Sequence, residues 1–453
     1  MATLDEIRTF NPWWLNKEAI ENDKHIKAFS DSRAKWTPEL KKELNLDIDS
    51  IYSIRGPRQV GKTTLLKLMI RDLLSGIDSR RIMYYSCDIV TERELMSLLS
   101  AYIEWIRSFT QERVFIFLDE ISAVKEWQKS VKVLYDLGKL EGATIILTGS
   151  HSIDIKKSAE LLPGRRGKIE KPDKEFLPMN FKEYTRLFKP QLIEKSLSEL
   201  QPFIGDLNKL LDQYLITGGF PRVIDSYMKN MEIEEYLFSD YINWIIGDFR
   251  KLGRNDHYLK EILKAVIETT SSPVGWETLQ KKTDIGSVNT IHEYVDDLKH
   301  SFVLEYLFQM GPSMKVSFLR QKKIYIRDPF IYHSIKKFLY NMAFHDMMKS
   351  LHDPEEKSKL IESIVCDHLS RIRELYYWRG KRGKEVDFVV KNKELIAIEV
   401  KYRKQRRYDL GGIMKFRNGF ILTKDELNLS ERYPRIPVSL FLLKLDKNLI
   451  ISG

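Results

Sequence analysis

Gly56-Pro-Arg-Gln-Val-Gly61-Lys62-Thr63, continuing into Thr64-Leu-Leu, is the stretch whose reading decides the fold. It fills the eight positions of a phosphate-binding loop without a mismatch. The apolar run Ile51-Tyr-Ser-Ile54 stands just before it and a helical pattern just after, so the loop joins a strand to a helix. Glycine at 56 and 61 lets the backbone wrap until its N–H groups and the helix N-terminus face phosphates. Gly56, Pro57, Arg58, Gln59, Val60, Gly61, Lys62, Thr63 and Thr64 are therefore the expected nucleotide cradle. Lys62 would reach the β- and γ-phosphates of ATP, and the Thr63 hydroxyl would hold Mg²⁺.

A loop of this kind needs acids to complete the metal shell and prepare water. Val114-Phe-Ile-Phe-Leu118 runs straight into Asp119-Glu120. A buried strand there puts Asp119 near the metal and leaves Glu120 to polarise the attacking water; the alternative is a pair of acids capping the next helix. A further run, Thr144-Ile-Ile-Leu147, ends in Thr148-Gly-Ser150-His151, where a polar side chain could sense the γ-phosphate. Ser150 is the candidate taken into the site, with Thr148 and His151 left open. Arg165, with Arg166 beside it in Leu162-Pro-Gly-Arg-Arg-Gly167, is the candidate for a cation delivered to the developing charge. A basic surface loop reads the same way.

With Arg81-Ile-Met-Tyr-Tyr85 added, four short apolar runs alternate with helical patterns, which means a parallel sheet covered on both faces. The fold class is thus α/β, a P-loop NTPase sheet over residues 50–173. Residues 1–49 form a polar arm whose Trp13, Trp14 and Trp36 require it to dock. Residues 174–252 read as a helical lid, broken at Thr217-Gly-Gly-Phe-Pro221. Over 253–328, three helices and two strand-like runs suggest a winged helix-turn-helix. In its third helix Ser287 is the N-cap, and Val288, Ile291, Val295 and Leu298 recur on one face as core. Residues 329–453 read as a small α/β domain with strands at 385–390, 395–401 and 419–422.

Composition narrows the rest. Lys and Arg number 74 against 64 Asp and Glu, a formal charge of +10, and 13 basic against 6 acidic residues from Arg371 to Asp409 give a local +7. Such a stripe is the footprint of a polyanion, nucleic acid foremost, or else a solvated charged face. No apolar run approaches the roughly 18 residues of a membrane span. Two cysteines, Cys87 and Cys366, suit neither a disulfide framework nor a zinc site. The expectation is a cytoplasmic protein with no membrane partner.

The sequence resembles a family of archaeal-type AAA+ ATPases that carry a C-terminal domain similar to PD-(D/E)XK nucleases. The resemblance rests on Asn11-Pro-Trp-Trp14, the loop from Arg55 to Thr64, Tyr84-Tyr-Ser-Cys-Asp88, Phe117-Leu-Asp-Glu-Ile-Ser122, Thr148 to Ser152, Leu162 to Gly167, Tyr214 to Pro221, and Trp378 to Lys401. The resemblance implies an ATPase core, helical lid, winged helix and restriction-endonuclease-like domain in one chain that assembles with copies of itself, a ring being one form of that assembly. Asp387 and, twelve residues on, Glu399-Val-Lys401 would meet on paired strands. Two carboxylates there suit Mg²⁺ or Mn²⁺, with Lys401 orienting a hydroxide. Glu362 matches a helical acid of the nuclease-like family and would be a further ligand. A partly buried ion pair is the competing account. Two functions follow: an ATP-hydrolysing DNA-processing enzyme with a metal-dependent nuclease centre, or a nucleotide-controlled DNA-binding switch whose nuclease-like domain is inert.

Overall fold

The computed structural model describes residues 4–149, 162, 164–402 and 410–446. They form two compact units, Met1–Leu177 and Pro178–Gly453.

In the first unit five parallel strands, β1 (Ser50–Arg55), β2 (Ile82–Ser86), β3 (Val114–Asp119), β4 (Ala143–Gly149) and β5 (Asp173–Glu175), lie in the order β2-β3-β4-β1-β5. The runs of β1 to β4 are almost wholly buried, as parallel strands between helices must be. The helix Glu92–Arg107 starts at a capping box, Thr91 with Glu94, and buries Leu95, Leu98, Leu99, Tyr102, Ile103 and Ile106 against them. β5 is a strand that periodicity could not find, because all three of its residues are charged.

The N-terminal arm closes an edge. β2 ends the sheet, and an edge strand leaves backbone groups without partners. Asn11 supplies them: its Nδ2 donates to Tyr84 O at 2.8 Å and its Oδ1 accepts from Tyr84 N at 2.6 Å. The indole N–H groups of Trp13 and Trp14 both donate to Ile82 O, at 3.1 and 2.8 Å. Trp14 stacks on Trp105 with ring centres 4.7 Å apart.

The second unit differs from the expected string of a lid, a winged helix and a separate C-terminal domain. Its strands are β6 (Pro273–Val274), β7 (Leu304–Met310), β8 (Val316–Ile326), β9 (Leu375–Arg379), β10 (Glu385–Lys391), β11 (Leu395–Lys401), β12 (Asn418–Thr423) and β13 (Arg435–Pro437). They make one mixed sheet in the order β13-β12-β11-β10-β9-β7-β8-β6. β7 pairs in parallel with β9, so the sheet runs across the expected boundary at 328/329. The helices Asp256–Thr269, Trp276–Gln280 and Val288–His300 precede β7 in the expected order. Ser287 Oγ accepts from Thr290 N, and Ile291, Val295 and Leu298 are buried while Val288 is half-buried.

The helical segment expected as a lid packs within this same unit. Phe181 N donates to His368 Nε2 at 2.8 Å, and Asn208 Oδ1 accepts from Ser439 Oγ at 2.7 Å. The break at Thr217-Gly-Gly-Phe-Pro221 has a specific cause. Asp328 caps the helix Pro329–Tyr340 through Phe330 N and also accepts from Gly219 N, each at 2.8 Å. A Cβ on Gly218, where φ is +59°, would stand 2.0 Å from that carboxylate. Burial pushes the Asp328 carboxyl up to about 7. Arg327 and Arg371 converge on Asp367 at 2.8 and 2.6 Å, and Arg371 also donates to Pro178 O.

Candidate functional site

The phosphate-binding loop lies at the carboxyl end of β1, the place where parallel sheets present their sites. Gly61 has φ +102°, closed to residues with a Cβ without strain, and opens the helix Lys62–Leu74. Gly56 is required for another reason: a Cβ there would lie 2.0 Å from Phe176 O. Val60 is fully buried and pins the loop, while Gln59 at its tip is exposed with φ +64°. Pro57 is buried, and Arg58 and Thr64 are half-buried on the flanks.

Lys62 is only 5% exposed, and its Nζ donates to Gly56 O and Pro57 O at 3.0 Å. Those carbonyls occupy the ammonium where phosphate oxygens would. Asp119 ends β3 and gathers hydroxyls: Thr63 Oγ1 donates to its Oδ2 at 2.6 Å, Tyr84 Oη to the same oxygen at 3.0 Å, and Thr148 Oγ1 to its Oδ1. Thr63 and Asp119 thus stand together, a hydroxyl and a carboxylate of the oxygen-donor chemistry that Mg²⁺ takes. Glu120 follows in the left-handed region (φ +51°), with its N–H on Thr148 Oγ1 at 3.2 Å and its Oε1 3.9 Å from Lys62 Nζ.

Thr148 is accordingly a positioning hydroxyl between the two acids, spent before any phosphate arrives. Ser150 and His151, the other sensor candidates, lie outside the described residues. Tyr84 was missed as a site residue. Burial and the charge of Asp119 raise its phenol far above the ordinary range, so it serves Asp119 as a donor. Its only sequence signal was its place in Tyr84-Tyr-Ser-Cys-Asp88.

Arg165 is not brought to the loop. It forms a bidentate pair with Asp136, at 2.6 and 3.2 Å, and lines a pocket with Asp49 and Ser50 at the start of β1. That edge is about 17 Å from the loop at the rise of an extended strand. Arg166 is structural, donating to Ile51 O, Asp173 and Ser53 and so tying β1 to β5.

In the second unit Asp387 on β10 and Glu399 on β11 do lie on adjacent antiparallel strands. Lys401 Nζ is 2.7 Å from Glu399 Oε1. Glu362 comes from the helix Pro354–Ser370, and burial, then the charge of Asp387, pushes both glutamates up. The unforeseen member is Lys323 of β8. Its side chain is 2% exposed, and its Nζ lies 2.6 Å from Glu385 Oε1 and 3.0 Å from Asp387 Oδ1. Asp387 Oδ2 accepts from Val400 N at 2.9 Å.

This arrangement departs from the expected metal centre. Both oxygens of Asp387 are engaged, a buried ammonium supplies the counter-charge, and no three acidic, His or Cys groups among the described residues are disposed for a metal. The set as it stands does not fit a resident ion. Glu362 Oε2 and Glu399 Oε2 are nevertheless buried without a hydrogen-bond partner among the described residues. The basic stripe is also interrupted: Arg371 is internal on Asp367, Lys391 pairs with Glu374, and Lys401 with Glu399. Residues 403–409 lie outside the described residues.

Residues 49–185 match the family model described as an AAA domain. Residues 208–340 and 357–439 match two models each described as a domain of unknown function. An uncharacterized protein of Methanocaldococcus jannaschii is 26% identical over 438 residues, 90% of this chain and 86% of that one. A second from the same organism is 25% identical over 376 residues, 79% and 76%. The Walker-type ATPase of Pyrococcus abyssi is similar to 63% of this chain over 91% of its own, at TM-score 0.41 and 14% identity. None of the described helices is long and apolar enough to cross a membrane. With the loop, Lys62 and Asp119 in place, the matched segment is an AAA-type P-loop ATPase domain.

Proposed function

We propose that this protein binds ATP with Mg²⁺ and hydrolyses it, and that nucleotide state governs its attachment to nucleic acid, DNA in the first instance. The observation that carries the reading is the 2.6 Å contact of Thr63 with Asp119 beside a buried lysine whose ammonium donates to two loop carbonyls. Thr63 and, through water, Asp119 would hold the ion, which supplies charge neutralisation at the β- and γ-phosphates. Lys62 exchanges its carbonyl partners for phosphate oxygens. Glu120 takes the orienting role toward water, fixed by Thr148. Arg165, turned to the opposite edge of its own sheet, serves a neighbouring copy, so the working form is a homo-oligomer, of which a ring is the closed version.

Turnover and nucleotide affinity test this reading together. Lys62→Ala should weaken nucleotide binding and lower hydrolysis by about 100-fold or more. Glu120→Gln should lower hydrolysis as far while nucleotide stays bound. Full activity in both variants overturns it.

For the second unit the inert-switch reading is favoured, because Lys323 already neutralises Asp387. Metal-dependent cleavage is the second reading, supported by the two partnerless oxygens of Glu362 and Glu399. It requires Lys323 to release Asp387. Cleavage of duplex or single-stranded DNA with Mg²⁺ or Mn²⁺ that disappears in Asp387→Ala would establish it.

A further inference from the structure

β7 and β8 do not pair evenly. Phe308 faces Lys322, and the next residue, Gln309, faces Ser317, so the four residues 318–321 of β8 bulge out of the ladder. A bulge re-aims side chains, and this one turns them toward a neighbouring corner. Phe318 packs edge-on against Phe308, with centroids 4.8 Å apart, whereas Leu319 is 97% exposed. Arg320 and Gln321 follow into an open cleft of about 560 Å³ whose other wall is the turn from β9 to β10, with Arg379, Gly380 and Lys381. Gln309 also lines the cleft and is itself buried.

Two of the three cations on the lining of this cleft have no ion pair among the described residues. Most basic side chains of the C-terminal strands are paired, as Lys391 and Lys401 are. Arg320 and Lys381 lie exposed with no ion pair among the described residues, and Glu277 is the one acid on the lining. Arg379 donates to Gln321 Oε1, and its Nε is 3.9 Å from Glu385 Oε2. Glu385 in turn holds Lys323 beside Asp387. Arg379 and Glu385 thus link the lining of the cleft to the carboxylate cluster by a chain of ion pairs.

We infer that this cleft is the nucleic-acid-binding site of the second unit. Arg320, Arg379 and Lys381 contact successive phosphates, Gln309 and Gln321 offer amides to the sugar–phosphate backbone, and exposed Leu319 meets a base or sugar face. Lone phosphate contacts position a strand without reading its sequence. The assignment rests on the proposed attachment to nucleic acid and adds where the strand lies: along the bulge and the β9–β10 turn, leading toward Asp387.

Binding of a fluorescent duplex and of a single-stranded oligonucleotide, followed by anisotropy between about 50 and 200 mM salt, tests it. Arg320→Gln combined with Lys381→Gln should lower the slope of log affinity against log salt by about 1.8 on duplex and 1.4 on single strands, with at least about tenfold weaker binding near 0.1 M. Lys393→Gln combined with Lys415→Gln, equally exposed but away from the cleft lining, should stay close to wild type. Leu319→Cys carrying a benzophenone should capture the labelled strand on illumination, since Cys87 and Cys366 are buried. Wild type that binds no nucleic acid sinks the parent reading and the cleft together. Wild type that binds, with the Arg320 and Lys381 pair matching either wild type or the Lys393 and Lys415 pair, overturns the cleft alone, as does binding without capture or displacement by a mononucleotide as readily as by an oligonucleotide.

Discussion

Asp119 and Asp387 both sit on strands next to a second acid, yet their surroundings are opposite. Asp119 is met by three hydroxyls, from Thr63, Tyr84 and Thr148, and the nearby lysine rests on backbone carbonyls. Asp387 is met by a buried ammonium shared with Glu385. Hydroxyls and carbonyls are neutral partners that a phosphate and its ion can displace at small cost. A desolvated ion pair is not surrendered so readily, because removing one partner strands the other charge. The first site is prepared for exchange and the second is already balanced.

Lys323→Met is the hardest blow to that contrast. It should destabilise the second unit by about 3–5 kcal/mol in urea unfolding, since two acids lose their cation. Lys62→Ala should cost the first unit only about 1–2 kcal/mol, the scale of ordinary hydrogen bonds. Similar costs for the two would erase the distinction.

Next in size is the completeness of each site. Arg165→Ala should lower ATP turnover by about 10³-fold, or about 4 kcal/mol, while nucleotide affinity is kept. Mixed with Glu120→Gln protein, it should regain part of the activity, each copy supplying what the other lacks. Failure of the mixture to exceed either variant would place the completing cation elsewhere.

The smallest effect concerns acid. Burial holds His368 down to about 4, as it does His333, against 6.5 for the unfolded chain. A base with a depressed folded value contributes stability that is complete above pH 6.5 and is lost as pH falls toward 4. Each should account for about 3 kcal/mol over that window. His368→Gln, which keeps an acceptor for Phe181 N–H, should flatten the pH dependence of the second unit's melting temperature. An unchanged slope would show that its imidazole is already charged.

What could be read in the sequence was local. The loop, Lys62, Thr63, Asp119 and Glu120 stand within strand-turn-helix patterns a few residues long, and β1 to β4 are uninterrupted apolar runs. Lys323 carried no such signal, since a lysine in Lys322-Lys323 reads as solvent-facing until the sheet that buries it is known. Phe308 and Tyr376 pair across 68 positions of chain, and nothing in either run announces the other. The counter-charge of the carboxylate cluster went unread for the same reason: its acids stand at a readable spacing along the chain, and its cation comes from a strand read as part of another domain.

That long-range pairing also sets a clock. A ribosome adding roughly 5–20 residues per second needs several seconds between finishing β7 and finishing β9. Through that interval one side of β7 has β8 and the other has only solvent or a stranger's backbone. Parallel, non-local pairs are slow to close even once both strands exist. The nascent second unit is therefore a natural client for chaperones, and truncations that end before Leu375 should be recovered as aggregates.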